Sequence, residues 1–242
     1  MPMRAMASYL RALHTHSGPG LAPLPLRACA EALGLDGLAL LLAREGSTPE
    51  LVQSFGERTG ALEDLQLVQG HGPSRDAAAD GALLLMPDLR DVTGFALVRW
   101  PGLPGAVEEL GVSAVFAFPL RIGVIGLGAL TGHRTTPGPL GTDQLAAAFG
   151  LADTLAQVVI TLTARPVPSS GLLLKETSLH FAEVHQATGM LAAQLEIPCA
   201  QALVLLRAYA YSHNRRLLSC ARDVIQRRLD LGDKDDKDDK DA

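Results

Sequence analysis

Val184–Leu195 reads VHQATGMLAAQL, and how its centre is read decides what the C-terminal part of the chain is. The apolar residues around it are spaced like those of a helix. A glycine inside a helix costs about 1 kcal/mol against alanine, yet Gly189 stands there with Ala187, between Gln186 and Met190. Small residues let a second helix backbone approach closely, which is one reading. The other is a flat polar surface for a flexible ligand, lined by Gln186 and Thr188. Ala187 and Gly189 do not face the same way, so both readings can hold at once.

Working outward, three helical segments emerge. The first runs from about Gly171 to Leu195. Leu174, Phe181, Thr188 and Leu195 lie seven apart, so its upper half has the spacing of a short coiled coil. The second opens at Pro198, a residue suited to a first helical turn, and places Ala202, Leu203, Leu206 and Ala210 on one side, with Asn214 as its stop. The third spans about Leu217 to Leu229, with Leu218, Ala221, Val224, Ile225 and Leu229 as its buried face. RPVPSS, residues 165–170, precedes all three. Pro166 and Pro168 cannot sit inside a helix without breaking its bonds, so 166–170 is read as a linker. The acidic tail, DKDDKDDKDA at 233–242, can bury nothing and is expected to be disordered.

Before the linker the pattern changes. LPLRACAEALGL predicts a helix, and GLALLLAR (37–44) is a strand whose antiparallel partner is ELVQSF (50–55). A helix to Val68, a glycine-rich turn and a short helix to Gly81 follow. ALLLMPDL reads as a buried strand, and RWPGLPGAVEELG as a loop leading into a short helix. VSAVFAFPLRIGVIGLGALTGH reads as two strands about a turn near Arg121–Gly123. A long helix starts near Thr142 with the stripe Leu145, Phe149, Ala152, Leu155, Val159 and Leu162.

Charge is distributed unevenly. Residues up to Ser170 hold 11 Lys/Arg against 15 Asp/Glu, residues 171–232 hold 7 against 5, and the tail holds 3 against 6. The basic excess thus lies in the helical C-terminal part. Cys29, Cys199 and Cys220 are scattered, odd in number and without metal spacing, which reads as reduced, buried thiols. No stretch reaches the roughly 20 apolar residues of a membrane span and no signal peptide is visible, so a cytoplasmic protein with no membrane role is expected. No nucleophile–base pair emerges and no enzyme is expected. GVIGLG (123–128) lacks the Gly-Lys-Ser/Thr ending of a phosphate loop and reads as a hairpin. Asp88 and Asp91 flank Arg90 in a solvated loop, and His14 and His16 read as surface residues. Trp100, the single tryptophan, is either core or the wall of a ligand pocket.

YAYSHNRR, Tyr209–Arg216, is the best nucleic-acid candidate: aromatic rings interleaved with Arg, His and Asn combine base stacking with phosphate neutralisation. The alternative is a helix C-terminus whose cations favour the dipole. In this setting HQATGMLAAQLEIPCAQALVLLRAYAYSHNRRLLSCARDVI (185–225) resembles the ANTAR domain, a three-helix RNA-binding module. Ala187 and Gly189 match its small-x-Gly element, Ala202, Leu206, Arg207 and Ala210 its second helix, and Asn214, Leu217, Ala221, Val224 and Ile225 its turn and third helix. Many members carry Lys where this chain has Thr188. The resemblance implies RNA contacts from Gln186, Thr188, Gly189, Arg207, Tyr211, His213, Asn214, Arg215 and Arg216. Loop bases would stack on Tyr211 and be read by Asn214 and Gln186, while Arg207, Arg215 and Arg216 hold phosphates.

The front of the chain resembles a GAF domain, on LEDLQLVQGHGP (62–73), DLR (88–90), RWP (99–101), GVSAVFAFPL (111–120) and IGLGALTGH (125–133). Many relatives have Cys at Ser74 and Glu at His71. The fold class expected is therefore α+β: a GAF-like sensor over 7–165, with an antiparallel sheet flanked by helices, then the linker, an ANTAR-like bundle over 171–232 with a coiled-coil-like first helix, and the tail. The resemblance implies a signal-regulated transcription antiterminator that binds paired RNA hairpins with exposed loop bases and acts as a homodimer. No cofactor or metal is expected, although an unidentified small molecule is allowed for in the sensor, with Trp100, Phe116 and Phe118 as candidate pocket residues. A DNA-binding transcription factor and a dimerising sensor or scaffold remain as alternatives.

Overall fold

The computed structural model of the protein describes residues 24–43, 48–90, 98–163, 182–213 and 215–231. They fall in two compact units, one up to His180 and one from Phe181. His14 and His16, Asp91, the linker at 166–170, the coiled-coil positions Leu174 and Phe181, Asn214 and the acidic tail all lie outside the described residues.

The first unit is a sheet between two layers of helices. Its elements are α1 (Leu26–Leu33), β1 (Gly37–Leu42), β2 (Glu50–Phe55), α2 (Thr59–Gln69), α3 (Pro73–Asp80), β3 (Leu84–Met86), α4 (Leu103–Glu109), β4 (Ala114–Ile122), β5 (Ile125–Arg134) and α5 (Thr142–Thr163). The five strands run in the order β2-β1-β5-β4-β3, every neighbour antiparallel. Alternation sorts their side chains. Leu38, Leu40, Phe116, Phe118, Leu120 and Leu130 join α1 and α5 in the larger core. Val115 meets Leu62, Trp100, Leu103 and Val107 on the other face, where Ala117 and Ala129 also meet Ala77 and Ala78 of α3. Each large apolar side chain so buried contributes about 1.5–3 kcal/mol.

Several sequence expectations change here. ALLLMPDL forms only three residues of edge strand, and Leu85 is 38 % exposed. The GVIGLG segment is the β4–β5 hairpin; Gly128 sits at φ +147°, where a Cβ would lie 2.0 Å from the Leu41 carbonyl oxygen, so no other residue fits. On α5 the buried stripe is Ala148, Leu151, Ala152, Leu155, Ala156 and Val159, while Phe149 is 40 % exposed and meets Phe118 edge-on. By length and composition alone, Thr142–Thr161 of α5, with mean hydropathy 1.3, is apolar enough to cross a membrane, a test that a buried core helix also passes; its buried stripe packs on the sheet.

The second unit holds α6 (Ala182–Leu195), α7 (Cys199–Ser212) and α8 (Leu217–Ile225). Val184, Ala187 and Leu191 from α6, Ala202, Leu206 and Ala210 from α7, and Leu217, Cys220, Ala221 and Val224 from α8 are buried. α6 ends on Glu196 at φ +54°, and the Ile197 N–H reaches back to the Ala192 carbonyl at 3.1 Å, the bond that closes a left-handed C-terminal cap. The chain then bends by 109° into α7, so α6 and α7 cross and do not run antiparallel side by side. Cys199, at the start of α7, is exposed, whereas Cys29 and Cys220 are buried; three buried thiols were expected.

Candidate nucleic-acid interface

The central question about Val184–Leu195 has a divided answer. Ala187 is fully buried in the three-helix core, as the close-packing reading requires. Gly189 is exposed, and a Cβ built there would meet nothing within 4 Å. Among the described residues, no neighbour inside the unit needs that glycine. Gln186 is exposed beside it. Thr188 departs from expectation: it is buried, and its hydroxyl donates to the Val184 carbonyl at 2.7 Å. A threonine that bonds back onto its own helix satisfies its polar group locally, which lets it enter the core and removes its side chain from the polar surface.

The α7–α8 turn gathers most of the remaining candidates. Tyr211 is 65 % exposed. The His213 ring stacks on Tyr209 at 4.0 Å between centroids, and its Nδ1 lies 3.0 Å from the Tyr209 carbonyl oxygen and 2.9 Å from Ser212 Oγ. His213 is thereby held against the end of α7, with an exposed edge. Arg207 is half-buried, and burial pulls its guanidinium below the usual range.

The three arginines expected to grip phosphates do not share one role. Arg215 donates to Asp223 Oδ2 at 2.5 Å, and that hydrogen bond raises its proton affinity. Asp223 also accepts from Arg228 at 2.7 and 2.9 Å. The hydrogen bonds from Arg215 and then from Arg228 hold its carboxyl below the ordinary range. Arg222 pairs with Glu183 at 2.8 Å, tying α8 to α6. Arg215, with its side chain 36 % exposed, is thus already paired with Asp223, a role the sequence reading did not give it. Arg216, exposed at the entry to α8, and Arg227 just beyond it have no ion-pair partner among the described residues. Asp223 is the signal that the sequence reading missed: it is the only acid between Glu196 and Asp230, set among arginines. Among the described residues, no hydrogen bond or ring contact joins Gln186 or Gly189 of α6 to Tyr211 of α7.

A second feature escaped the sequence altogether. The far side of α7 exposes Val204 (58 %) and Leu205 (42 %), which with Ile197, Ala200 and Gln201 line an open apolar depression of about 460 Å³.

In the first unit the three aromatic pocket candidates do not line one site. Trp100 is buried among Leu62, Leu103 and Val107, and its indole N–H donates to Asp76 at 2.8 Å. Phe116 and Phe118 point to the opposite face of the sheet, into the α1–α5 core. All three fill cores, because alternation along β4 sends its phenylalanines away from Trp100. The buried polar groups lie elsewhere: Glu63, Gln66 and Ser74 bond to one another between α2 and α3, and Thr131 and His133 of β5 are buried as well. Burial pushes the His133 imidazole down to about 4. Asp88 is held by Arg90 through side-chain bonds of 3.1 Å and the backbone N–H at 3.0 Å, a local loop arrangement.

No protein-family model matches the chain, and no curated protein does. Solved structures to which it is similar include the GAF domain of a phosphoenolpyruvate-protein phosphotransferase from Acinetobacter, 14 % identical over 68 % of this chain and 98 % of that one, with a TM-score of 0.49. The GAF domain of the Coxiella burnetii phosphoenolpyruvate-protein phosphotransferase is 18 % identical over 66 % and 95 %, at 0.47. The GAF domain region of a Geobacter sulfurreducens membrane protein is 19 % identical over 56 % and 88 %, at 0.45.

Proposed function

We propose that the protein is a signal-responsive RNA-binding regulator, in which a GAF-like N-terminal unit controls an ANTAR-like three-helix unit that holds paired RNA hairpins and so keeps a terminator from closing. The reading takes it to be a cytoplasmic homodimer and a binding protein without catalytic activity. The observation that carries it is Gly189. A mid-helix glycine costs about 1 kcal/mol, and no described residue of the unit approaches it. A partner outside the unit, pressing against bare backbone beside Gln186, gives that cost a use. The exposed Tyr211 ring, with Arg216 and Arg227, which have no ion-pair partner among the described residues, supplies stacking and phosphate neutralisation.

Titration of the full-length protein with hairpin RNA and with duplex DNA, at several salt concentrations, tests the proposal. If Arg207, Arg216 and Arg227 each neutralise one phosphate, log affinity falls with log salt at a slope of about −2 per protomer. Equal binding of duplex DNA favours the DNA-binding alternative. A second reading has its own observation: the apolar depression at Val204 and Leu205 suits a protein partner, and a scaffold without RNA binding would show concentration-dependent association and no RNA shift.

A further inference from the structure

Between α2 and α3 lies a polar cluster that RNA binding does not use. Glu63 is 2 % exposed and Ser74 is fully buried. The Ser74 hydroxyl donates to Glu63 Oε1 at 2.8 Å and accepts from Gln66 Nε2 at 2.7 Å, while the Ser74 N–H donates to Gln66 Oε1 at 2.8 Å. Gln66 thus fixes Ser74, and Ser74 fixes one oxygen of Glu63. The other, Oε2, is buried with no hydrogen-bond partner among the described residues. One donor is too few for a buried carboxylate, which needs its negative charge compensated, whereas a neutral acid tolerates the site.

We propose that Glu63 is a proton-operated latch: protonated, it holds α3 against α2, and ionised, it weakens that junction, so acidification tightens the seat of α3. The consequences extend past the cluster. α3 lays Ala77 and Ala78 on Ala117 and Ala129 of the sheet, and its Asp76 and Asp80 hold Arg99 and Trp100. Loosening α3 therefore uncovers a face of the sheet and frees the segment that carries Trp100.

The titration range follows from the surroundings. Burial pushes the Glu63 carboxyl up to about 7; the Ser74 bond and Arg75 of α3 pull it down, and Asp64 on its own helix pushes it up. β1 has no titratable side chain, and Glu50 of β2 and Glu108 and Glu109 of α4 do not act on it. His133 of β5 lies at the other end of α2, beside Thr59, and titrates in the opposite sense.

Amide hydrogen exchange of residues 74–80 in the full-length protein, corrected for intrinsic exchange, tests the latch. Opening returns Glu63 to water and its ordinary value of 4.5. Protection should therefore fall about tenfold per pH unit between about pH 5 and 7 and level off above 7. Glu63→Gln should flatten the profile. Ser74→Ala, which removes a bond favouring the ionised form, should move the levelling to higher pH. A flat wild-type profile, or a slope that survives Glu63→Gln, overturns the proposal. If Glu63→Gln does not fold, the infrared carbonyl band of a buried protonated carboxyl decides: a band that titrates near pH 7 and shifts upward in Ser74→Ala supports the latch, and its absence in the wild type overturns it.

Discussion

Gly189→Ala separates folding from binding at a single atom. The added Cβ meets nothing within 4 Å, so no clash offsets the gain in helix propensity, and the second unit should be stabilised by about 1 kcal/mol. If RNA lies on this backbone, the same methyl holds it off, and loss of about 1.4 kcal/mol raises the dissociation constant tenfold. The expected result is a tighter fold and weaker RNA binding. Gly150 of α5 is the control, because it is also helical and a Cβ there also meets nothing; Gly150→Ala should stabilise the first unit and leave RNA binding alone. Trp100 is the only tryptophan and lies in the first unit, so its fluorescence in urea follows that unit, while amide exchange of α6 follows the second. Unchanged or reduced stability in Gly189→Ala refutes the geometric argument. A gain in stability with RNA affinity intact removes the ground for placing RNA at Gly189.

Three other outcomes follow from the structure. Arg216→Ala should weaken RNA binding and reduce the salt slope by about 0.7, whereas Arg215→Ala, which breaks a partly exposed ion pair with Asp223, should change stability little, because exposed ion pairs are weak and screened by salt, and should leave that slope unchanged; both are read by salt-dependent titration and urea melts. Leu206→Ala in the centre of the second unit, where Leu206 is fully buried, should cost about 2–5 kcal/mol, measured by loss of α6 exchange protection. His133, 2 % exposed and held near 4, binds its proton more readily unfolded than folded. It therefore withdraws stability as pH falls from about 6.5 through 4, by about 3 kcal/mol in all. His133→Asn should remove that contribution from the pH dependence of first-unit melts, a loss best seen with Glu63→Gln in the background, since Glu63 works in the opposite direction.

Local pattern made most of the elements legible. GLALLL and ELVQSF carry strand composition on either side of a turn, and they pair as β1 and β2. α1, α2, α3 and α5 arise where apolar spacing and glycine stops announced them, because period and capping are properties of neighbouring residues. The short reach of β3 was not legible, since a run of apolar residues does not say how many will find a partner strand.

The sequence by itself determined a sheet-bearing front, three helices behind it, and a basic, ring-bearing turn in the last third; these depend on contacts within a few residues. Only tertiary structure decided which of those side chains are available. Arg215 is spent on Asp223 and Arg216 is not, Thr188 turns inward while Gly189 stays bare, and Trp100 lies across the sheet from Phe116 and Phe118. Each outcome depends on what the rest of the chain brings within a few ångströms, and burial and charge pairing are settled at that range.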